Sequence, residues 1–240
     1  MRITERVYLV GGYGYGLSAL GDCNVYLVDG GDEYALIDTG GGRGVPQILR
    51  NMEADGLKPE RLSHILVTHC HFDHIGGNRE LRDQLGAQVI CHQEDKEAIE
   101  TLGELSLYSM ARERGLEFQP CPVDRTLEDG EKLGVGEVEI GAVHTPGHTP
   151  GCLSFTLEEK GGLAVFTGDI ASSNGRLGYI NGPGFNLDHW KASVKRLLEL
   201  KPTYMFPGHG TFLLGMAVTH LRVYDLKMNS AWTTIVTEAG

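Results

Sequence analysis

Three histidines and one aspartate fall within six residues, in the run His69-Cys70-His71-Phe72-Asp73-His74. Neutral imidazole and carboxylate are ligand types that suit zinc and iron. On an extended stretch that leaves a strand, His69 and His71 would point the same way, because side chains alternate with a period of two. Asp73 and His74 would then lie at the following turn. We therefore expect one short loop to offer two pairs of ligands to two neighbouring metal sites.

Cysteine is not expected to contribute to these sites. Alternation directs Cys70 away from the two histidines that flank it. The other cysteines, Cys23, Cys91, Cys121 and Cys152, are scattered and form no CxxC pair, which excludes a closed site of four thiolates. In a chain whose first residues do not resemble a secretion signal, such a set indicates reduced and mostly buried thiols.

Three further polar residues are framed by glycines at the ends of predicted strands. They are His148 in the run 145–151 (TPGHTPG), Asp169 in 167–169 (TGD) and His209 in 207–210 (PGHG). Glycine lets the backbone bend sharply and hold a side chain at a loop tip beside a rigid sheet. Each motif alone is a weak signal. With the histidine run they form an ordered set that predicts a metal centre.

The elements that must position these residues alternate between strands and helices. Short β-rich runs bounded by turn residues predict strands at Arg6–Val10, Cys23–Asp29, Tyr34–Asp38, Ser63–Thr68, Ala87–Cys91, Glu137–Val143, Cys152–Leu157, Leu163–Thr167 and Tyr204–Phe206. Helical patterns that stop at glycine or proline predict helices over Gln47–Ala54, Asn78–Leu85, Glu94–Leu102, Leu187–Leu200 and about Ala217–Met228. Such mixing indicates an α/β or α+β fold. No linker is evident, so residues 1–240 are expected to form a single domain.

In order and type, these motifs resemble those of the metallo-β-lactamase superfamily, and within it the glyoxalase II-like hydrolases. The resemblance runs from about Cys23 to Gly210. It implies an αββα sandwich with the metal site at one edge, between two sheets. The ligands that it implies are His69, His71 and His148 for a first metal ion, Asp73, His74 and His209 for a second, and Asp169 as the bridge.

The resemblance also implies a mechanism. Asp38, in the run 36–40 (LIDTG), matches the early aspartate that supports a ligand histidine in this family. All seven ligand positions are filled, which favours two zinc ions, with iron or manganese as alternatives. A water between two dications loses its proton near neutral pH. Asp73, as the catalytic residue, or Asp169 would orient the resulting hydroxide toward a carboxylic ester, a lactone or a thioester.

Two oxidoreductase families share parts of this pattern. Persulfide dioxygenases have the same histidine motif but use one iron ion, which that resemblance would place on His69, His148 and Asp169. They oxidise sulfur with dioxygen rather than hydrolyse a bond. A flavodiiron-like enzyme is less favoured, because no flavodoxin domain is attached and that family has a glutamate where His71 stands. We therefore predict a hydrolase, with the mononuclear iron dioxygenase as the alternative.

Within the hydrolases the sequence departs from glyoxalase II itself. The segment 170–176 differs from that enzyme, and only about thirty residues follow His209. A dedicated glutathione-thioester hydrolase is therefore not expected. The insertion before Pro120 and the loop over residues 178–186 are closer to the lactonase and general ester branches.

Charge and composition narrow the partners. The formal net charge of -11, from 32 acidic and 21 basic residues, would repel a phosphate backbone, so no nucleic-acid partner is expected. No apolar run approaches the roughly 18 residues that cross a bilayer, so no membrane partner is expected either. The residues Met1–Arg6 lack the pattern of a secretion signal, which predicts a cytoplasmic location. A small-molecule substrate is expected, and a homo-oligomer is left open.

The residues that bind the substrate are not identified by the sequence. The stretch 103–115 is predicted to be helical, and it fits a lid over the site or plain core packing equally well. The glycine-rich run 11–16 lacks the lysine of a P-loop, so a flexible loop near the mouth of the site is expected instead. Tyr13, Tyr15 and Tyr108 are candidate mouth residues. The remaining histidines are expected to be structural: His64, His92, His144, His189 and His220.

Overall fold

Two β-sheets pack against each other in the computed structural model, which describes residues 1–177 and 182–230. The first sheet comprises β1 (Val7–Gly11), β2 (Val25–Asp29), β3 (Tyr34–Ile37), β4 (Leu62–Leu66), β5 (Gln88–Cys91) and β6 (Arg125–Thr126). The second comprises β7 (Lys132–Val135), β8 (Val138–His144), β9 (Leu153–Glu159), β10 (Gly162–Gly168) and β11 (Tyr204–Pro207). Within each sheet the strands neighbour one another in chain order.

Helices cover the outer face of each sheet. The α-helices of the described residues are α1 (Val45–Ala54), α2 (Phe72–Ile75), α3 (Asn78–Leu85), α4 (Gln93–Thr101), α5 (Tyr108–Glu113), α6 (Leu187–Glu199) and α7 (Ala217–Met228). Helices α1, α3 and α4 pack on the first sheet, whereas α6 and α7 pack on the second. Among the described residues, none of the helices has the length and apolar character needed to cross a membrane.

Strand β2 shows how the first sheet buries both of its faces. Val25 and Leu27 belong to the apolar cluster that includes Ile48 of α1. The alternate residues Tyr26 and Val28 belong to the cluster between the two sheets. Because side chains of a strand alternate between its faces, one continuous apolar run serves two separate cores.

Strand β10 divides its side chains in the same way in the second sheet. Phe166 packs between the sheets with Phe155, while Val165 joins Trp190 and Val194 of α6 on the outer side. The order of layers is therefore helices, sheet, sheet and helices. The predicted αββα sandwich is confirmed.

The first sheet brings two candidate residues to one of its edges. Strands β3 and β4 are parallel, so the segments that follow them leave the sheet on the same side. Asp38 comes directly after β3, and its N–H donates to the carbonyl of Leu66, the last residue of β4, at 3.0 Å. The histidine run begins at His69, shortly after β4.

The second sheet delivers its candidates to the same place. Strands β10 and β11 are parallel, and the N–H of Gly208 after β11 donates to the carbonyl of Gly168 at 2.7 Å. Asp169 and His209 follow these two strands. The sheets are joined at the end of the loop from β8 to β9, because the N–H of Leu153, the first residue of β9, donates to the carbonyl of Thr68 at 2.8 Å.

The structure differs from the sequence predictions in a few elements. Strands β6 and β7 were not predicted. Strand β6 has only two residues, and β7 is a short run of exposed and buried positions in turn that is interrupted by a glycine. The stretch 103–115 is broken into a 3-10 turn at Glu104–Ser106 and α5, since Leu107 adopts a left-handed conformation with φ 55°. Residues 178–181 of the 178–186 loop lie outside the described part. The single domain over 1–240 stays a prediction.

Phe155 offers a direct test of the core between the sheets, because its side chain is 0% exposed. We expect Phe155→Ala to lower the free energy of unfolding by about 3–5 kcal/mol, since it leaves a cavity that the two sheets cannot close. Unfolding by urea in the presence of a chelator measures this free energy without a contribution from bound metal. Leu226→Ala is the control, because Leu226 is 69% exposed. An equal loss in both variants would contradict this location of the core.

Candidate metal centre

The histidine run is held by a short turn whose apolar residues point into the protein. In α2, Phe72 packs against Leu107 and Ala111, and Ile75 lies in the core beneath the first sheet. The N–H of His74 donates to the carbonyl of His71 at 2.9 Å, which closes the turn. The alternation of apolar and polar residues therefore directs the imidazoles and Asp73 toward the edge between the sheets.

The first group of donors consists of His69, His71 and His148. One nitrogen of each lies within 4.8 Å of the others, and the three residues are at most 3% exposed. The Nε2 atoms of all three have no hydrogen-bond partner among the described residues. A buried polar atom without a partner costs free energy, so its presence in three converging rings indicates a ligand.

The second group consists of Asp73, His74 and His209. Nε2 of His209 lies 3.1 Å from Oδ2 of Asp73 and 3.4 Å from Nε2 of His74. The His209 side chain is 47% exposed, whereas that of His74 is 0% exposed. This group is therefore where the centre opens to solvent.

Asp169 lies between the two groups. Its Oδ2 is 3.5 Å from Nε2 of His148 in the first group and 3.6 Å from Nε2 of His209 in the second. Its Oδ1 is 3.4 Å from Nε2 of His74. One carboxylate thus faces donors on both sides.

Asp38 anchors the second group from behind. Its Oδ2 accepts hydrogen bonds from Nδ1 of His74 at 2.8 Å and from Oγ1 of Thr68 at 2.7 Å, and its Oδ1 accepts from the N–H of Thr68 at 2.7 Å. Donation from Nδ1 leaves the lone pair of His74 Nε2 facing the centre. Asp38 has a φ of 61°, and these contacts hold the strained backbone in place.

The electrostatics of the two groups differ. Burial lowers the pKa of His69 well below its usual value, that of His71 to about 3, and that of His148 as well. These imidazoles are therefore neutral, as metal ligands must be. In the second group Asp169 raises the pKa of His209. For Asp169, burial would raise the pKa, but His209 and His74 outweigh it and hold that pKa well below its usual range. Positive charge is thus favoured where the carboxylates meet.

The sequence of the chain matches that of a known protein family. The model of the metallo-β-lactamase superfamily matches residues 19–209, a span that includes every candidate ligand. The chain belongs to the metallo-β-lactamase superfamily.

Several relatives within the superfamily carry names of enzymes. The chain is 31% identical to the probable metallo-hydrolase YqgX of Bacillus subtilis (strain 168), over 78% of this chain and 84% of that protein. It is 30% identical to the atrochrysone carboxyl ACP thioesterase dmxR1 of Cryptosporiopsis sp. (strain 8999), over 87% of this chain and 55% of that protein. The chain thus spans about half the length of that thioesterase. These relatives support the prediction of a hydrolase.

A solved structure of the superfamily matches the whole chain. BJP-1, a subclass B3 metallo-β-lactamase of Bradyrhizobium japonicum, superposes with a TM-score of 0.78 at 21% identity, covering 100% of this chain and 94% of that one. At this identity the likeness shows the fold. It agrees with the two sheets and outer helices described above.

Several other residues that the sequence analysis considered make contacts outside the two donor groups. The Cys70 thiol is buried in the core and donates to the carbonyl of Leu105 at 3.6 Å. His92 and His144 stack with their rings 4.0 Å apart and nearly parallel, at 12°. Because stacked rings lie in two separate parallel planes, their in-plane lone pairs cannot meet at one ion. This pair therefore does not fit a metal site in this arrangement. Tyr15 stacks on Phe212.

Sequence reasoning missed one buried carboxylate beside the centre. Asp95 is 0% exposed and lies in the first turn of α4. Its only signal in the sequence is an acidic residue soon after a strand, which is common at the start of helices. Its hydrogen bonds to Cys70 and Thr149 join residues that are distant in sequence, so they arise only from the fold.

Gly208 tests how closely the candidate ligands are packed. A Cβ at this position would lie 2.5 Å from Oδ1 of Asp169 and 2.7 Å from Cε1 of His74. We expect Gly208→Ala to displace these side chains and weaken zinc binding by about 10–100-fold, as changes beside metal ligands do. Competition with a chromophoric chelator measures this affinity. In Gly215→Ala, where a Cβ meets nothing within 4 Å, wild-type affinity is expected. Equal affinities in both variants would contradict the assigned ligands.

Proposed function

We propose that this chain is a dinuclear metallo-hydrolase that cleaves thioesters, or the related carboxylic esters and lactones, with two zinc ions. The observation that carries the proposal is the position of Asp169. Its carboxylate oxygens lie 3.4–3.6 Å from histidines of both donor groups. A carboxylate shared in this way suits a bridge between two ions. A single iron ion would not account for the second group of donors, Asp73, His74 and His209.

The donor types fit zinc. The first group offers three neutral imidazoles, and the second offers two imidazoles and a carboxylate, with Asp169 between them. No cysteine occurs among these seven residues. Imidazole and carboxylate ligands with an open position are typical of catalytic rather than structural zinc sites. His69, His71 and His148 would hold one ion, and Asp73, His74 and His209 the other.

The chain's own residues then have separate tasks. When bound, the two ions would supply a nucleophile at neutral pH and polarise the carbonyl oxygen. Asp73, with a side chain 19% exposed, would accept a hydrogen bond from this nucleophile and orient it toward the carbonyl carbon. Asp38 would keep His74 in one tautomer and one orientation. The exposed side chain of His209 would border the opening through which the substrate enters.

Thioesters come first among the substrates for two reasons. The relative named an ACP thioesterase is similar over 87% of this chain. In addition, a thiol has a pKa of about 8.5, so a thiolate leaves near neutral pH with little help from a general acid. An alkoxide needs more help from a proton donor. Esters and lactones present the same carbonyl to the site and stay in the proposal.

The test combines metal analysis with a substrate panel. We expect two zinc ions per chain and hydrolysis of acyl-coenzyme A or N-acetylcysteamine thioesters, ahead of lactones, phosphodiesters and β-lactams. Asp73→Ala should lower kcat/KM by about 10²–10⁴-fold with the fold intact, because it removes both a proposed ligand of the second ion and the group that orients the nucleophile. Asp32→Ala is the matched control, since the Asp32 side chain is 97% exposed.

Three results would refute the proposal. The first is one iron ion per chain with dioxygen uptake on glutathione persulfide, which would establish the dioxygenase alternative. The second is activity on phosphodiesters or β-lactams alone. The third is a wild-type rate in Asp73→Ala. Metal content measured on each variant separates loss of an ion from loss of the orientation of the nucleophile.

A further inference from the structure

We propose that Asp95 is a positioning residue that holds the two loops of the first metal site at a fixed separation. This inference rests on the proposed function, because it takes His69, His71 and His148 as ligands. The hydrogen bonds that the Asp95 carboxylate accepts come from other residues of the same loops. Asp95 lies in the first turn of α4, and its N–H donates to the carbonyl of His92 at 3.2 Å.

The carboxylate of Asp95 accepts hydrogen bonds from both ligand loops at once. Its Oδ2 accepts from the N–H of Cys70 at 2.8 Å and from Oγ1 of Thr149 at 2.8 Å. Its Oδ1 accepts from the N–H of Gly151 at 2.8 Å. Cys70 lies between His69 and His71 in the sequence, and Thr149 follows His148. The residue therefore joins the two segments that must converge on one ion.

The energetics make this junction rigid. A fully buried carboxylate is costly unless donors surround it, and hydrogen bonds to a charged acceptor are stronger than neutral ones. The donors here come from two loops of different sheets, so a shift of either loop would leave the charge without part of its compensation. The same hydrogen bonds therefore limit the distance between the rings of His71 and His148, whose centroids are 4.6 Å apart.

Gly151 gives an independent indication of the same constraint. A Cβ at this position would lie 2.5 Å from Oδ1 of Asp95 and 2.6 Å from its backbone nitrogen. The loop after His148 can therefore approach α4 this closely only because residue 151 lacks a side chain. Close backbone approach and a carboxylate with three donors therefore occur at one point, between the loops that carry His71 and His148.

The test replaces the carboxylate by an amide of the same shape. In Asp95→Asn one acceptor becomes an NH₂ donor that must face the N–H of either Cys70 or Gly151, so at least one of the three hydrogen bonds is lost and two donors are left opposed. We expect affinity for zinc to fall by about 10–100-fold, as it does when the partners of metal ligands are changed. Competition with a chromophoric chelator measures it, beside the Tm of the metal-free protein.

Asp124→Asn is the matched control. The Asp124 carboxylate also accepts a backbone N–H, from Val89 at 2.9 Å, and pairs with Arg82 at 2.7 Å. These partners lie outside both ligand loops. Asp124→Asn should therefore lower the Tm of the metal-free protein but keep wild-type zinc affinity, which is the result a merely structural role would give for Asp95.

A second pair of variants covers the case in which Asp95→Asn does not fold. Thr149→Val removes one of the three donors and should weaken zinc binding, whereas Thr149→Ser keeps the hydroxyl and should restore it. Wild-type affinity in folded Asp95→Asn, or in Thr149→Val, would overturn the proposal. Because the readout is zinc binding, a wild-type chain that binds zinc but cleaves no thioester, ester or lactone would overturn only the proposed function. A wild-type chain that binds no zinc would overturn both.

Discussion

The structure depends on the burial of histidine side chains whose ring nitrogens find no hydrogen-bond partner among the described residues and would be satisfied by a bound metal ion. The Nε2 atoms of His69, His71 and His148 are buried and have no hydrogen-bond partner among the described residues. Water is excluded from them by the same packing that forms the sandwich, so their cost cannot be relieved by solvation. A fold that keeps three such rings together must offset this cost with favourable contacts around them. Much of the architecture at this edge can be understood as that compensation.

Buried carboxylates provide such contacts behind the two groups of donors. Asp38 ties the segment after β4 to His74, and Asp95 ties the loop around Cys70 to the loop around Thr149. Neither has a cationic lysine or arginine beside it in these contacts. Each instead accepts N–H and O–H groups, which fix direction as well as distance. Carboxylates behind the candidate ligands thus limit where those side chains can lie, while Asp73 and Asp169 face the centre itself.

The sequence predicted what is local and missed what is tertiary. Glycine-framed motifs around His148, Asp169 and His209 predicted loop tips, and the structure brings these loops to one edge. Most strand bounds were predicted within two residues, since β-rich runs and turn residues are local signals. Strand β6 was missed because two residues carry no periodicity. Asp95 was missed because its partners are distant in sequence, and an acidic residue in a first helical turn has an ordinary explanation.

The division of the donors between the sheets links metal affinity to the stability of the whole sandwich. The histidine run follows β4 of the first sheet, whereas His148 belongs to a loop of the second. An ion on both would therefore join the sheets and bind only the state in which they are packed. Any ligand of that kind stabilises the folded chain by mass action. Conversely, loosening of the core around Phe155 would separate the two halves of the first group, so affinity for the ion would fall even though no ligand had changed.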